Sequence, residues 1–315
     1  SLAICKECSL VQLRHTAPQS LLYTDSYGYK SGVNQTMRNE LKGIAEESLE
    51  KIILRPFDNA QGSGQEVKSQ KIIAVDIGAN DGTLLKFYPK HVFKVGIEPI
   101  KKYALESRKY ADVVINDFFN YKSYTKTMKN KKAHLATAIS CFYDIDNPNQ
   151  FVSDVKKILH DDGIFVIQQN YLVEMLKYNA FDNIVFEHLE YYSLTSLEHL
   201  LNRHGLEVFD VEEREINGGS FRTYICYEGM RKVNNSVLTL RESELRLGLD
   251  KKEIYQDFAA RIRIISKQIH DFIKKKVKKG RIIMVYGAST RGNTLLQYCK
   301  LDNRLIKAAV ERNPQ

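Results

Sequence analysis

Apolar positions follow two rhythms along this chain, and the change between them divides it. From Met37 to Ile53 the residues Met37, Leu41, Ile44, Ala45, Leu49 and Ile52 recur every three or four positions, which predicts an amphipathic helix. From Lys71 the spacing changes to short β-branched runs: Ile72 to Ile77, Val92 to Ile97, Val113 to Ile115, His134 to Ile139 and Ile164 to Gln168. Such runs suit parallel strands buried on both faces. Helical stretches separate them, one from Glu98 to Tyr110 and one from Gln150 to Leu159, so the segment reads as repeated β-α units. Thr195 to His204 predicts a further helix, and Val208 to Val211 with Arg222 to Tyr227 an antiparallel hairpin about the turn INGGS. The expected fold class is α/β, with five parallel strands and a closing hairpin in one seven-stranded sheet. A dehydrogenase half would have continued the alternation instead.

The polar segment Asp58 to Gln70 predicts a linker and sets three expected regions: 1–60, 61–230 and 231–315. In the last, Ile254, Phe258, Ile262, Ile265 and Ile269 predict a long connecting helix. Arg281 to Tyr286 and Leu305 to Val310 then predict one β-α-β unit, too little to bury a parallel sheet. With no initiator methionine and a terminal strand, the chain reads as a fragment.

Composition changes the picture little. Hydrophobic residues at 43% and charged residues at 27% are those of a globular protein, and no apolar run is long enough for a membrane span. The net charge of +9 admits nucleic acid or an anionic small substrate. Lysines are scattered, and the one dense run, Lys274 to Lys279, closes a helical pattern where cations complement the helix dipole, so no nucleic-acid partner is expected. Five cysteines, an odd number, argue against a disulfide framework. The expectation is a cytoplasmic monomer or weak dimer. Cys5 and Cys8 form a C-x-x-C knuckle, half of a tetrahedral zinc site that needs two more ligands. Two unrelated cysteines or a redox pair are the competing readings.

Candidate chemistry gathers at the strand ends. In VDIGANDGTLL, Gly78 and Gly82 let the backbone pass close under a ligand, and Glu98 after the next strand can accept bonds from ribose hydroxyls. A nicotinamide dinucleotide requires G-x-G-x-x-G, yet Asn80 takes the middle glycine position and Asp81 adds an anion where pyrophosphate would lie. Asp117 with Phe118 and Phe119 offers a carboxylate and a ring to an adenine. Ser140 to Asp144 ends the fourth strand. The segment Asn170 to Ser193 inserts after the fifth, bringing together Glu187, His188, Glu190, Tyr191 and Tyr192. A histidine with a carboxylate beside it suits proton abstraction near neutrality. A plain β-α turn and a surface loop with a lone histidine are the bland alternatives.

The order D-x-G-x-N-x-G over Asp76 to Gly82 resembles the first motif of class I S-adenosylmethionine methyltransferases, whose cationic ligand tolerates Asp76 and Asp81. The whole chain resembles the sugar C-methyltransferase family, which methylates carbon 3 of nucleotide-linked 4-keto-6-deoxy sugars. The match runs through the Cys5/Cys8 knuckle with LVQL, then YGYKSG, VDIGANDG, FYDIDNP, FDNIVFEHLEYYSL, INGGSFR and GASTRGNTLL. It implies an N-terminal zinc-binding domain with its other cysteines upstream, a central methyltransferase domain and a C-terminal Rossmann-like domain. It also implies a cofactor site at Asp76, Gly78, Asn80, Asp81, Gly82, Glu98, Asp117, Phe118 and Ser140. His188 is then the base and Glu187 its partner, with Tyr143 and Tyr29 donating to an enolate oxygen, Asn217 at the substrate and Arg222 meeting the pyrophosphate. The sequence departs from the family at Val185, Phe186 and Asn217, where the family carries Tyr or Cys, His, and His. A binding protein without turnover is the second function class. A dehydrogenase using Val285 to Thr294 as its dinucleotide turn is the third.

Overall fold

A computed structural model describes residues 1–53, 71–287 and 289–310. The expected linker Asp58 to Gln70 lies outside them, as does the end of the chain after Val310. Seven strands form the central sheet: β1 (Ile73–Ile77), β2 (Phe93–Ile97), β3 (Val113–Ile115), β4 (Ala133–Ile139), β5 (Leu159–Asn170), β6 (Leu206–Arg214) and β7 (Ser220–Tyr227). Their order is β3-β2-β1-β4-β5-β7-β6. The first five are parallel, and β7 runs antiparallel to both β5 and β6. This is the seven-stranded sheet of class I methyltransferases.

Alternation along each strand loads both faces. Val75, Ile77, Val95 and Ile97 belong to one apolar core, shared with helices α5 (Pro148–Ile158) and α7 (Leu194–Asn202). Ala74, Leu135, Ile164, Val166 and Tyr224 belong to the other, shared with α1 (Gln35–Ile53) and α2 (Thr83–Phe87). Met37, Leu41, Ile44 and Ala45 of α1 are buried, so the periodic stripe in the sequence is the packing face. The dividing line expected at residue 60 would part this helix from the sheet it covers.

A third core joins distant parts of the chain. The hairpin Leu2–Ile4/Val11–Leu13 gains a third strand from Glu190–Tyr191 of the insertion, with Val11 opposite Tyr191. Val11, Leu172, Phe181 and Tyr191 pack there with Phe258 and Ile262 of the long helix α9 (Lys252–Lys278) and with Cys299. The unit that follows, Met284–Tyr286 paired in parallel with Ala308–Val310 and joined by α10 (Thr290–Tyr298), keeps its strands exposed. Hydrogen exchange of Met284, Tyr286 and Val310 is therefore expected to be fast beside that of β1 and β4, measured on one sample. No described helix is long and apolar enough to cross a membrane.

Candidate active site

The carboxyl ends of β1, β2 and β4 open into a cavity of about 310 Å³. Its floor is the turn after β1. Gly78 and Asn80 take left-handed backbone angles, φ 76° and 49°, and a Cβ on Gly78 would stand 3.1 Å from the Cys141 sulfur. Glu98 is buried at the end of β2; its Oε2 accepts the Asn80 N–H and its Oε1 the Ile100 N–H, each at 2.8 Å. Burial pushes its carboxyl upward while the two N–H bonds pull it back. Each oxygen keeps a second lone pair, which ribose hydroxyls can use. Phe118 and Phe119 line the adenine end expected from the sequence.

Of the cofactor residues expected, Gly78, Asn80, Glu98, Phe118 and Ser140 line the cavity. Asp76 does not: it faces the α1 side, accepts a bond from Thr137 Oγ1 at 2.7 Å, and burial raises its carboxyl to about 7. Gly82 packs on Ser107, where a Cβ would lie 2.8 Å from its Cα. Asp117 turns to its neighbour's N–H and stays at the surface.

The side chains of Asn80 and Asp81 are occupied by the chain itself. Asn80 Oδ1 accepts from Ser31 N–H at 3.0 Å, and its Nδ2 donates to the Tyr29 carbonyl at 3.1 Å. Asp81 Oδ2 accepts from Gly32 N–H at 3.0 Å, while its Oδ1 accepts from the Thr83 hydroxyl at 2.6 Å. Together they pin a strap, residues 23–32, across the mouth. Gly32 has no room for a side chain: a Cβ would sit 2.5 Å from Asp81 Oδ2. Gly32→Ala is expected to cost about 1–3 kcal/mol and to raise exchange along the strap, read by thermal unfolding and hydrogen exchange.

Beside the expected Tyr29, this strap carries cavity residues that sequence reasoning missed. Tyr23, Tyr27 and Tyr29 line the cavity together with Gln19 and Asp144. The Tyr23 hydroxyl donates to Asp144 Oδ2 at 2.8 Å, and Gln19 Nε2 to the Asp144 carbonyl at 2.7 Å. Asp144 Oδ1 is buried with no hydrogen-bond partner among the described residues. Burial, only partly offset by Tyr23, pushes this carboxyl well up. The clustered tyrosines of YGYKSG and the acid in FYDIDNP were the available signals. An adenosine ligand carrying a sulfonium and an ammonium fits this set of carboxylates and aromatic rings, and a pyrophosphate does not.

Tyr143 and His188 adjoin the cavity without lining it. Their ring centroids lie 4.4 Å apart, and the Tyr143 carbonyl accepts the Leu189 N–H. His188 Nδ1 lies 3.0 Å from the Asn183 carbonyl, which can only accept, so Nδ1 carries the proton and Nε2 a lone pair. Burial is the main reason its pKa falls to about 4. Glu187 does not orient this ring. Burial raises its carboxyl, with Thr290 pulling it partly back. Asn183, not Glu187, fills the orienting role, because adjacent side chains on this irregular segment diverge.

Two substrate residues are placed elsewhere. Arg222 has no exposed surface and faces α1, where it meets Glu40 at 2.7 Å, Glu47, and Gln168 Oε1 at 2.8 Å. It cannot reach a pyrophosphate in the cavity. Asn217 holds a left-handed turn (φ 59°), and its carbonyl accepts from Arg291 at 2.9 Å. Tyr29 does stand at the cavity. In the other candidate dinucleotide turn, Val285 to Thr294, Ala288 lies outside the described residues and Arg291 turns to Asp182. Cys5 and Cys8 sit on a tight turn closed by Ser9 N–H to the Cys5 carbonyl. They offer two ligands where a structural zinc takes four, and no cluster of three or more metal-binding side chains occurs among the described residues.

The family described as methyltransferase domain matches residues 45–211, and that described as C-methyltransferase C-terminal domain matches 215–315. The C-methyltransferase NovU of Streptomyces niveus is 26% identical over 307 residues, covering 96% of this chain and 70% of its own. Among solved structures, the plantazolicin methyltransferase BpumL in complex with SAH is similar at 12% identity and a TM-score of 0.45, covering 59% of this chain and 84% of its own. An S-adenosylmethionine-dependent methyltransferase from Clostridium acetobutylicum ATCC 824 is similar at 10% identity and a TM-score of 0.42, covering 62% and 93%.

Proposed function

This chain belongs to the methyltransferase-domain family and is an S-adenosylmethionine-dependent methyltransferase, and from that premise we propose that it methylates a carbon next to the ketone of a nucleotide-linked deoxysugar. Bound S-adenosylmethionine supplies an electrophilic methyl group. The chain supplies the rest. Glu98 would accept from the ribose hydroxyls of the adenosine, with Phe118 beside the base, both of them lining the cavity. His188 Nε2 takes the proton made acidic by the neighbouring carbonyl, and the Tyr143 hydroxyl, whose ring packs against His188, is the donor to the enolate oxygen. The observation that carries this reading is the Nδ1 bond to the Asn183 carbonyl, which leaves Nε2 as the proton acceptor of the imidazole.

Incubation with a nucleotide-linked 4-keto-6-deoxyhexose and S-adenosylmethionine is expected to add the mass of one methyl group to the sugar. No mass change with intact cofactor binding would instead favour the second reading, a binding protein without turnover. Phe186, 55% exposed where the family carries a histidine, is the feature that favours it.

Cofactor preference gives a separate test. Calorimetry is expected to show S-adenosylhomocysteine bound more tightly than NAD, and Glu98→Ala to weaken it by about 1–3 kcal/mol. Tighter NAD binding would overturn the cofactor assignment. The cytoplasmic location, the sugar-nucleotide partner and a zinc at Cys5 and Cys8 completed by further cysteines belong to the same proposal. Metal analysis of a longer chain containing further cysteines checks the last of them, one zinc per chain being expected.

A further inference from the structure

Arg291 lies in the first turn of α10, where a cation is of the wrong sign for the helix dipole. Its placement is accounted for by what it reaches. Its Nε and Nη2 stand 2.8 and 2.6 Å from Asp182 Oδ2, and Nη1 donates to the Asn217 carbonyl at 2.9 Å. One guanidinium thus ties together the C-terminal segment, the insertion and the β6-β7 turn. The turn leaves room for it: a Cβ on Gly218 would stand 3.4 Å from Nη2.

Asp182 is the middle residue of a single helical turn, Phe181–Asn183. The next residue, Asn183, is buried, its Oδ1 accepts from Asn170 Nδ2 at 3.2 Å, and its carbonyl is the one that receives His188 Nδ1. We infer that Arg291 is the positioning residue for His188: by clamping Asp182 it fixes the turn that presents the Asn183 carbonyl to Nδ1, so that Nε2 is kept as the proton acceptor. The inference rests on the reading of His188 as base and extends it to a residue more than 100 positions away, outside the methyltransferase sheet. A bidentate planar cation suits the task, since two donors on one carboxylate set orientation as well as distance.

The charged and titratable groups around the imidazole are Arg291, which lowers its pKa, Asp182, which raises it, the Tyr143 phenol against its face and the neighbouring Glu187. Two substitutions therefore separate clamping from simple loosening. Arg291→Gln removes the cation; Asp182→Asn keeps an acceptor for the guanidinium but removes the anion.

The test is nitrogen-detected NMR of protein labelled at histidine, with the His188 signal identified by its loss in His188→Asn. In the unaltered protein His188 should appear as the Nδ1–H tautomer and titrate at about 4. In Arg291→Gln the tautomer should become mixed and the titration move about one pH unit higher. In Asp182→Asn it should stay at or below the unaltered value. Turnover of the nucleotide-linked 4-keto-6-deoxyhexose should fall about 10²-fold in Arg291→Gln, with affinity for S-adenosylhomocysteine unchanged. An unaltered tautomer and titration in Arg291→Gln would overturn the inference, as would equal upward movement in both variants. Full turnover by His188→Asn would instead remove the reading beneath it, and the NMR result distinguishes the two failures.

Discussion

Replacing His188 with asparagine is expected to lower turnover about 10²–10⁴-fold and leave S-adenosylhomocysteine affinity unchanged. Asparagine keeps a donor that can still meet the Asn183 carbonyl, so the insertion should hold its shape while the proton acceptor disappears. Exchange of the substrate's α-proton with deuterated solvent, followed without methyl donor, isolates the step and should slow by a similar factor. Exchange at the unaltered rate would exclude His188 and turn attention to Tyr143. The pH profile carries a second expectation. A base that titrates at about 4 is already neutral at pH 5, so this group imposes no loss of kcat/KM between pH 8 and 5. An acid limb near 6.5 would mean that the imidazole is in water when it works. The cost of the low value is a weaker base, so stabilisation of the developing enolate oxygen has to carry more of the step.

Arg222→Leu is expected to destabilise the protein by about 3–5 kcal/mol, the range for removing one partner from a buried ion pair. Glu40 would keep Arg214 at 2.9 Å, but Glu47 would lose its guanidinium and Gln168 its donor. Thermal unfolding should show a fall of about 10 °C or more. Adding Glu47→Gln to Arg222→Leu should recover part of it, because the orphaned charge is then gone. A variant with unchanged unfolding and a raised KM for the sugar nucleotide would restore Arg222 to the substrate.

That reversal shows where sequence reading stops. Buried parallel strands leave apolar runs little choice of structure, and β1, β2 and β3 lie within a residue of where the runs place them. The helix Tyr121–Met128 was not foreseen, because YKSYTKTM buries only Tyr124 and Met128 and owes its start to the Asn120 cap. The helix Asn235–Leu247, with three buried residues, gave an equally thin stripe. Glu190–Tyr191 is a strand only because Val11 and Gln12 lie beside it. Arg222 looked available because its carboxylates sit 175 and 182 positions away, on a helix whose docking no local pattern announces. Asp144 and Tyr23 are likewise separated by 121 positions. Cofactor-side glycines are legible from one short motif; a pocket wall assembled from three regions is not.

The insertion between β5 and β6 has a consequence for recombining these enzymes. It starts at the end of β5 and finishes at the cap of α7, but Glu190–Tyr191 is stitched to Val11 and Gln12, and Asp182 to Arg291. A chimera that exchanges the central domain alone would carry the insertion away from both anchors. The insertion should therefore keep its shape in a chimera only when the first hairpin and the start of α10 travel with it. Breakpoints inside residues 14–290 that keep residues 19–32 with the central domain should yield proteins that bind the methyl donor and modify nothing.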